Sequence, residues 1–160
     1  MDYIIREMKK GEYPLLSDFL YEAIYIPNGV EPPPKSVVNT PKLQEYITEF
    51  GNRKHDKALV AVAADREIVG AVWARIMNDY GHIDDDTPSI AMSVHKEYRD
   101  LGIGTALLKR LLSVLKSNGY EKASLSVQRA NYAVKMYKKA GFDIVDENSE
   151  EYIMAVELWR

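Results

Sequence analysis

The sequence predicts a single α/β domain with a mixed sheet. The chain has 160 residues, which is long enough to bury one sizeable core and is most simply one domain over residues 1–160. Segments rich in β-branched and apolar residues alternate with segments whose apolar residues recur at helical spacing. One β-rich run leads through a glycine loop directly into an amphipathic helix. This junction indicates a parallel βαβ crossover at the centre of the sheet.

The N-terminal part contains one short strand and two helices. Residues 3–7 form the predicted strand, and after Gly11 an apolar face at helical spacing predicts a helix. That face consists of Leu15, Leu16, Phe19, Leu20 and Ala23. Residues 26–41 contain five prolines, which predict a stiff, partly extended connector. Pro41 suits the first turn of a second helix, which we expect to end at Gly51.

The middle of the chain has the pattern of a hairpin and a third strand. Residues 59–64 and 68–77 are β-rich, and the polar turn 65–67 separates them. Residues 78–88 are polar and acidic, so we expect a loop there before a strand at residues 90–94.

The C-terminal part alternates helices and strands. Leucines at helical spacing predict a helix over residues 104–118, followed by a strand at 123–127. Asn131 can cap a helix that reaches Ala140, and strands at 142–145 and 152–158 form a last hairpin. The predicted order is β-α-α-β-β-β-α-β-α-β-β.

Composition excludes several classes of protein. The net charge is −3, so no global positive field favours nucleic acid or an acidic membrane. The chain has no cysteine, which excludes thiolate metal sites and a cysteine nucleophile and fits a reducing compartment. No apolar run reaches membrane-spanning length, and the first residues lack the pattern of a signal peptide. We therefore expect a cytoplasmic monomer or homodimer that binds no metal, no nucleic acid and no membrane.

The loop between the third predicted strand and its helix can bind an anion. Its residues are Arg99, Asp100, Leu101, Gly102, Ile103, Gly104 and Thr105. Glycine lets the backbone approach an anion closely, and the free N–H groups of the first helical turn then point at it. The alternative is a tight turn that serves only packing. A dinucleotide fingerprint would need glycine at Leu107, and a P-loop would need lysine after Gly104, so both are excluded.

Two motifs together resemble the GNAT N-acetyltransferase superfamily. Arg99, Gly102 and Gly104 match the family's acyl-CoA pyrophosphate loop, which has the pattern Gln/Arg-x-x-Gly-x-Gly/Ala. Residues 131–142 are similar to its second motif, an Asn-capped helix that carries an aromatic residue and ends in Gly-Phe. The order of elements matches over nearly the whole chain, except for the connector 26–41. Asp100 departs from the family pattern, which often has glycine there.

The resemblance implies where acetyl-CoA would bind. In this family the cosubstrate lies between two splayed parallel strands, which here are residues 90–94 and 123–127. Backbone groups of Met92, Ser93 and Val94 would contact pantetheine, and the loop from Arg99 to Thr105 would hold the pyrophosphate. The resemblance also places Asn131, Tyr137 and Lys138 beside the cosubstrate. For the lysines of this helix, an ordinary solvated face is the alternative.

The resemblance also implies a reaction, which is direct attack of an amine on the thioester. Tyr137 matches the family's general acid, with membership of the hydrophobic core as the alternative role. A backbone N–H near Met92 or Ser93 would meet the oxyanion. The general base is left open among residues expected near the acceptor side: Glu22, Glu31, His82, Asp84, Asp85 and Asp86. Ordered water could also take the proton.

Two functions from different classes remain in view at this point. The first is an acetyl-CoA-dependent N-acetyltransferase that acts on a small-molecule or peptide amine. The second is an acyl-CoA-binding sensor or interaction module with weak or no catalysis. This alternative is kept because the sequence pattern identifies no general base. The connector 26–41 falls where the family's acceptor segment varies most, so we expect it to shape the acceptor pocket.

Overall fold

A computed structural model describes residues 2–78 and 80–159; Met1, Asp79 of the predicted loop 78–88, and Arg160 lie outside the described residues. Within these ranges seven strands form one sheet in the order β1-β2-β3-β4-β5-β7-β6. The strands are β1 (Tyr3–Glu7), β2 (Lys57–Ala63), β3 (Ile68–Arg75), β4 (Ser89–Val94), β5 (Lys122–Gln128), β6 (Asp143–Glu147) and β7 (Glu151–Glu157). The helices are α1 (Leu16–Ala23), α2 (Pro41–Gln44), α3 (Ile103–Ser117) and α4 (Ala133–Lys139). The predicted α/β class and element order are confirmed.

β4 and β5 are parallel neighbours that separate almost at once. Their register contains a single pair within the described chain, Ser89 opposite Ser124. The Ser124 N–H also donates to the Pro88 carbonyl oxygen at 3.0 Å. By contrast, β4 pairs with β3 along its whole length, from Ser89 opposite Arg75 to Val94 opposite Gly70. The predicted splay of the central parallel pair is therefore confirmed.

Each face of the sheet carries its own apolar core. On one face, buried leucines of α3 pack with residues of β3, β4, β5 and α4. On the other, Phe19 and Leu20 of α1 pack with Trp73 of β3. The predicted apolar faces of both helices are confirmed, except that Leu15 is exposed and precedes α1 in a 3₁₀ turn (Lys10–Leu15). The two cores hold helices on both sides of the splay.

The predicted helix over residues 41–51 is wrong in extent, since α2 ends at Gln44. Trp73 Nε1 donates to the Tyr46 carbonyl oxygen at 3.1 Å, and Arg75 Nη1 donates to that of Glu45 at 3.1 Å. A continuing helix would use both carbonyls for its own N–H groups. Arg75 is held in place by a buried ion pair with Asp56, at 2.9 Å. Side chains of β3 thus bind carbonyl oxygens that a longer helix would use, and the chain continues in separate turns.

The proline-rich connector is partly folded. Residues Lys35–Asn39 form a 3₁₀ turn, and Val38 is buried. The Tyr21 hydroxyl donates to the Pro33 carbonyl oxygen at 2.5 Å, which ties the connector to α1. The prediction of an extended connector therefore applies only to its first half.

The loop between β3 and β4 lies against β5 at the base of the splay. Ser124 Oγ donates to the Gly81 carbonyl oxygen at 2.7 Å. A Cβ at Gly81 would lie 2.9 Å from the Leu125 carbonyl carbon, so glycine is needed for this close approach.

Neither a membrane helix nor a metal cluster appears in the described ranges. No helix there is both long and apolar enough to cross a membrane. The same ranges hold no group of three or more His, Asp or Glu residues placed to bind a metal ion.

Candidate active site

A cleft of about 990 Å³ passes through the sheet where β4 and β5 separate. One end is lined by the loop after β4 and by α4. The other end is lined by the end of α1, the connector, Leu43 of α2 and Tyr46. Residues predicted to contact a cosubstrate line it as follows: Met92, Ser93, Val94, Arg99, Asp100, Gly102, Ile103, Gly104, Thr105, Asn131 and Tyr137. The exposed side chains of Leu101 and Lys138 lie outside this lining.

The loop before α3 has the backbone of an anion site. Gly102 has a φ of +82°, a conformation that glycine adopts without strain. The N–H groups of Ile103, Gly104 and Thr105 begin the helix and have no intrahelical acceptor. Arg99 Nε donates to the Val94 carbonyl oxygen at 2.9 Å, which leaves the guanidinium beside the loop. The start of α3 therefore offers both N–H donors and a positive charge to an anion.

β4 presents backbone rather than polar side chains to the cleft. Ser93 Oγ is buried and donates to the Phe19 carbonyl oxygen at 2.6 Å, so this hydroxyl is already engaged with α1. Met92 is half-buried and packs toward Gly104, where a Cβ would lie 3.7 Å from the Met92 Cε. The edge of β4 that faces β5 has no strand partner beyond Ser89 in the described chain.

Tyr137 is buried at 9% exposure and still reaches the cleft. Burial raises the pKa of its hydroxyl to about 12, so the group is protonated at neutral pH. Its ring packs edge-to-face on Phe142, with ring centroids 5.8 Å apart. No residue in the described ranges forms a hydrogen bond with the hydroxyl. The side chain is thus both a core residue and a free donor.

Only one of the six predicted base candidates lines the cleft within the described chain, and that residue is Glu22. Its carboxylate accepts a hydrogen bond from His95 Nδ1 at 2.6 Å. The other five candidates lie elsewhere, in exposed or locally bonded positions: Glu31, His82, Asp84, Asp85 and Asp86.

Asn131 has a structural task as well as a place in the cleft. Its Oδ1 accepts from the N–H of Ala133, the first residue of α4, at 2.9 Å. This bond stabilises the start of α4, as a capping residue does, and so helps to position Tyr137.

Sequence reasoning missed four residues at this site. His95 holds Glu22, while Tyr80 and Glu151 line the cleft beside Lys42. Glu151 begins β7 directly opposite Gln128, the last residue of β5. The register of β7 against β5, which are distant in the sequence, places it at the splay.

A family model described as the acetyltransferase (GNAT) family matches residues 21–142 of the chain. An N-alpha-acetyltransferase from Sulfurisphaera tokodaii is 29% identical over 122 residues, which cover 66% of this chain and 72% of that relative. Acetyltransferase SG1711 from Sodalis glossinidius is 37% identical over 94 residues, which cover 58% of this chain and 62% of that relative.

Solved structures share the fold over nearly the whole chain. PaiA N-acetyltransferase from Thermoplasma acidophilum, in complex with coenzyme A, has a TM-score of 0.70 at 21% identity and covers 98% of this chain and 99% of that chain. A GCN5-related N-acetyltransferase from Kribbella flavida has a TM-score of 0.71 at 16% identity, with 97% of each chain covered. The chain is therefore an acyltransferase that belongs to the acetyltransferase (GNAT) family.

Proposed function

We propose that the protein is an acetyl-CoA-dependent N-acetyltransferase, which transfers the acetyl group to a primary amine while both substrates are bound. The observation that carries this proposal is the single residue pair between β4 and β5. This gap lies in the same cleft as the start of α3, whose free N–H groups suit an anion. The acetyltransferase relatives from Sulfurisphaera tokodaii and Sodalis glossinidius support it.

The cleft suits acetyl-CoA at two points. Backbone groups of Met92 to Val94 can bond the pantetheine amides, because this edge of β4 lacks a strand partner in the described chain. The loop from Arg99 to Thr105 can hold the pyrophosphate through its N–H groups and the Arg99 guanidinium. Asn131 and Lys138 are assigned to the nucleotide end, where Lys138 is an exposed cation.

The reaction forms a carbon–nitrogen bond and breaks the carbon–sulfur bond of the thioester. A neutral amine attacks the carbonyl carbon, and the N–H of Met92 or Ser93 stabilises the oxyanion. The amine proton passes to Glu22 through water, and Tyr137 acts as general acid toward the thiolate of CoA. Because a phenol with a pKa of about 12 is a weaker acid than a thiol, Tyr137 shares its proton with the departing sulfur through a hydrogen bond. When the proton is transferred, the basic phenolate takes another proton from water.

One observation favours the alternative of an inactive acyl-CoA-binding module. Tyr137 packs in the core with Phe142, so its presence can be explained without catalysis. The two functions differ in turnover, whereas both require binding of acetyl-CoA.

The deciding experiment measures release of free CoA with a thiol reagent. The protein has no cysteine, so the absorbance signal of the reagent comes from the CoA thiol alone. We expect release from acetyl-CoA that depends on an added primary amine, tested with alkylamines, diamines and short peptides. A rise in Tm with acetyl-CoA but no turnover with any amine would support the binding module instead.

A further inference from the structure

Three separate segments meet where the cleft opens on the side away from the anion site. They are α2, which carries Lys42, the loop before β4, which carries Tyr80, and β7, which begins at Glu151. Tyr80 and Glu151 line the cleft. The Lys42 Nζ lies 4.7 Å from the centroid of the Tyr80 ring, within range of a cation–π contact. A cation of the protein itself therefore lies at this mouth.

Glu151 is a partly buried carboxylate at this opening of the cleft. Its N–H is fixed by Asn148 Oδ1 at 2.8 Å, which positions the residue at the start of β7. Burial and the neighbouring Glu150 raise its pKa, and the charge of Lys42 opposes this rise. Within residues 2–78 and 80–159, Glu151 forms no salt bridge with Lys42 or any other cation. A partly buried carboxylate without an ion-pair partner in the described ranges favours a cationic ligand.

Charged side chains are unevenly distributed along the cleft. Its lining cations, Lys96 and Arg99, are near the start of α3, where an anion is expected, together with the carboxylate of Asp100. Glu22 on α1 and Glu151 on β7 have no such cations beside them in the described lining and share it with the aromatic rings of Tyr25, Tyr46 and Tyr80. Carboxylates beside aromatic faces are the usual surroundings of a bound ammonium group.

We propose that Tyr80 and Glu151 form a subsite for a second, protonated nitrogen of the acceptor, and that Lys42 occupies this subsite in the free protein. The proposal rests on the proposed function, since it names the acceptor class of that same cleft. The attacking amine must be neutral when it reacts, so it cannot be the group held here by its charge. The acceptor is accordingly diamine-like, with one nitrogen bound as a cation and the other acetylated.

The test compares two acceptors of equal chain length, 1,5-diaminopentane and n-pentylamine. We expect the wild type to prefer the diamine in kcat/KM by about tenfold or more, as loss of a charged contact would imply. Glu151→Gln should raise KM for the diamine about tenfold, with kcat and the KM for n-pentylamine unchanged. Glu157→Gln, at the exposed far end of β7, is the matched control and should change neither.

A second variant tests the place of Lys42. Lys42→Met removes the competing cation, so the KM for the diamine should fall about threefold, while Lys42→Arg should leave it unchanged. The proposal is overturned if the wild type does not prefer the diamine, or if Glu151→Gln affects both acceptors equally. It is also overturned if Lys42→Met raises the KM for the diamine.

Direct binding separates this proposal from the proposed function. Calorimetric titration of 1,5-diaminopentane into the protein with CoA present needs no turnover. Binding that is lost in Glu151→Gln supports the subsite even if no amine is acetylated. Turnover of n-pentylamine without any such binding would keep the acetyltransferase function and overturn the subsite.

Discussion

The Nδ1 atom of His95 lies 2.6 Å from a carboxylate oxygen of Glu22 and joins the residue after β4 to the last turn of α1. The His95 ring also stacks on Phe19, with centroids 4.8 Å apart and an interplanar angle of 17°. Both residues of the pair are partly exposed, and Glu22 borders the cleft. A charge-assisted bond and a stacked ring therefore hold this carboxylate in one place.

Removing the Glu22 carboxylate should slow the reaction. We expect Glu22→Gln to lower kcat about a hundredfold at neutral pH, because loss of a general base has costs of this order. The loss should shrink at high pH, where hydroxide can accept the proton in place of the carboxylate, and a kcat profile against pH measures it. Asp18→Asn, one turn earlier on an exposed position of α1, is the control and should retain full activity. A kcat for Glu22→Gln equal to that of the wild type would remove Glu22 from the mechanism.

Loss of the Tyr137 hydroxyl should separate catalysis from binding and folding. Tyr137→Phe should lower kcat about a hundredfold while the Kd for acetyl-CoA stays nearly unchanged. Its Tm should equal or exceed that of the wild type, because the hydroxyl is buried without a hydrogen bond in the described chain. Steady-state kinetics and thermal melting measure the two effects, with Tyr3→Phe on β1 as the control. Full activity in Tyr137→Phe would leave Tyr137 as a core residue only.

Alkaline pH should destabilise the wild type more than Tyr137→Phe. Burial raises the pKa of Tyr137 from 10.0 to about 12, so the unfolded chain releases this proton first. Below pH 10 the hydroxyl is protonated in both the folded and the unfolded chain, so its titration leaves the free energy of unfolding unchanged. As the pH rises through 12, the wild type loses on the order of 2–3 kcal/mol by linkage, a loss that Tyr137→Phe does not share. Urea unfolding of both proteins at several alkaline pH values measures this difference. Burial also raises the pKa of Tyr13 and Tyr120, but these residues affect the wild type and the variant equally. Parallel losses in the two proteins would contradict it.

Asp100 should weaken both the fold and cosubstrate binding slightly. It has a φ of +62°, a region where glycine is preferred, and it lines the cleft beside the anion site. Asp100→Gly should raise the free energy of unfolding by about 0.5–1 kcal/mol. Removing the negative charge should also lower the Kd for acetyl-CoA about threefold at low salt. Asp100→Asn tests the charge alone, because asparagine tolerates this backbone conformation as aspartate does. If Asp100→Asn leaves the Kd unchanged, the charge faces away from the cosubstrate.

Local signals were enough to predict the centre of this protein. The apolar run of β4, the glycines at 102 and 104 and the leucines of α3 lie next to each other in the sequence, so their pattern predicts their structure directly. The extent of α2 could not be predicted in this way. It is set by Trp73 and Arg75, which bind carbonyl oxygens of residues 46 and 45 from a distant strand.

The residues at the acceptor end of the cleft could not be predicted either, because they too are brought together by contacts between distant parts of the chain. Lys42, Tyr80 and Glu151 lie far apart in the sequence and belong to no common motif. Only the pairing of β5 with β7 and the fold of the loop before β4 bring them together. The resemblance to a family predicts which residues would bind a cosubstrate and gives no comparable guide to the acceptor end.

In the described chain, β4 and β5 are joined by one residue pair, Ser89 and Ser124, and here the needs of stability and of ligand binding conflict. Four strands on one side and three on the other are joined there by far fewer main-chain bonds than any other neighbouring pair has. Lengthening the ladder would stabilise the sheet and at the same time fill the gap in which we propose that acetyl-CoA lies. Substitutions that raise the free energy of unfolding without closing this gap are therefore expected in the helices and cores that pack on both sheet halves. Any ligand that bridges the gap will itself stiffen the sheet.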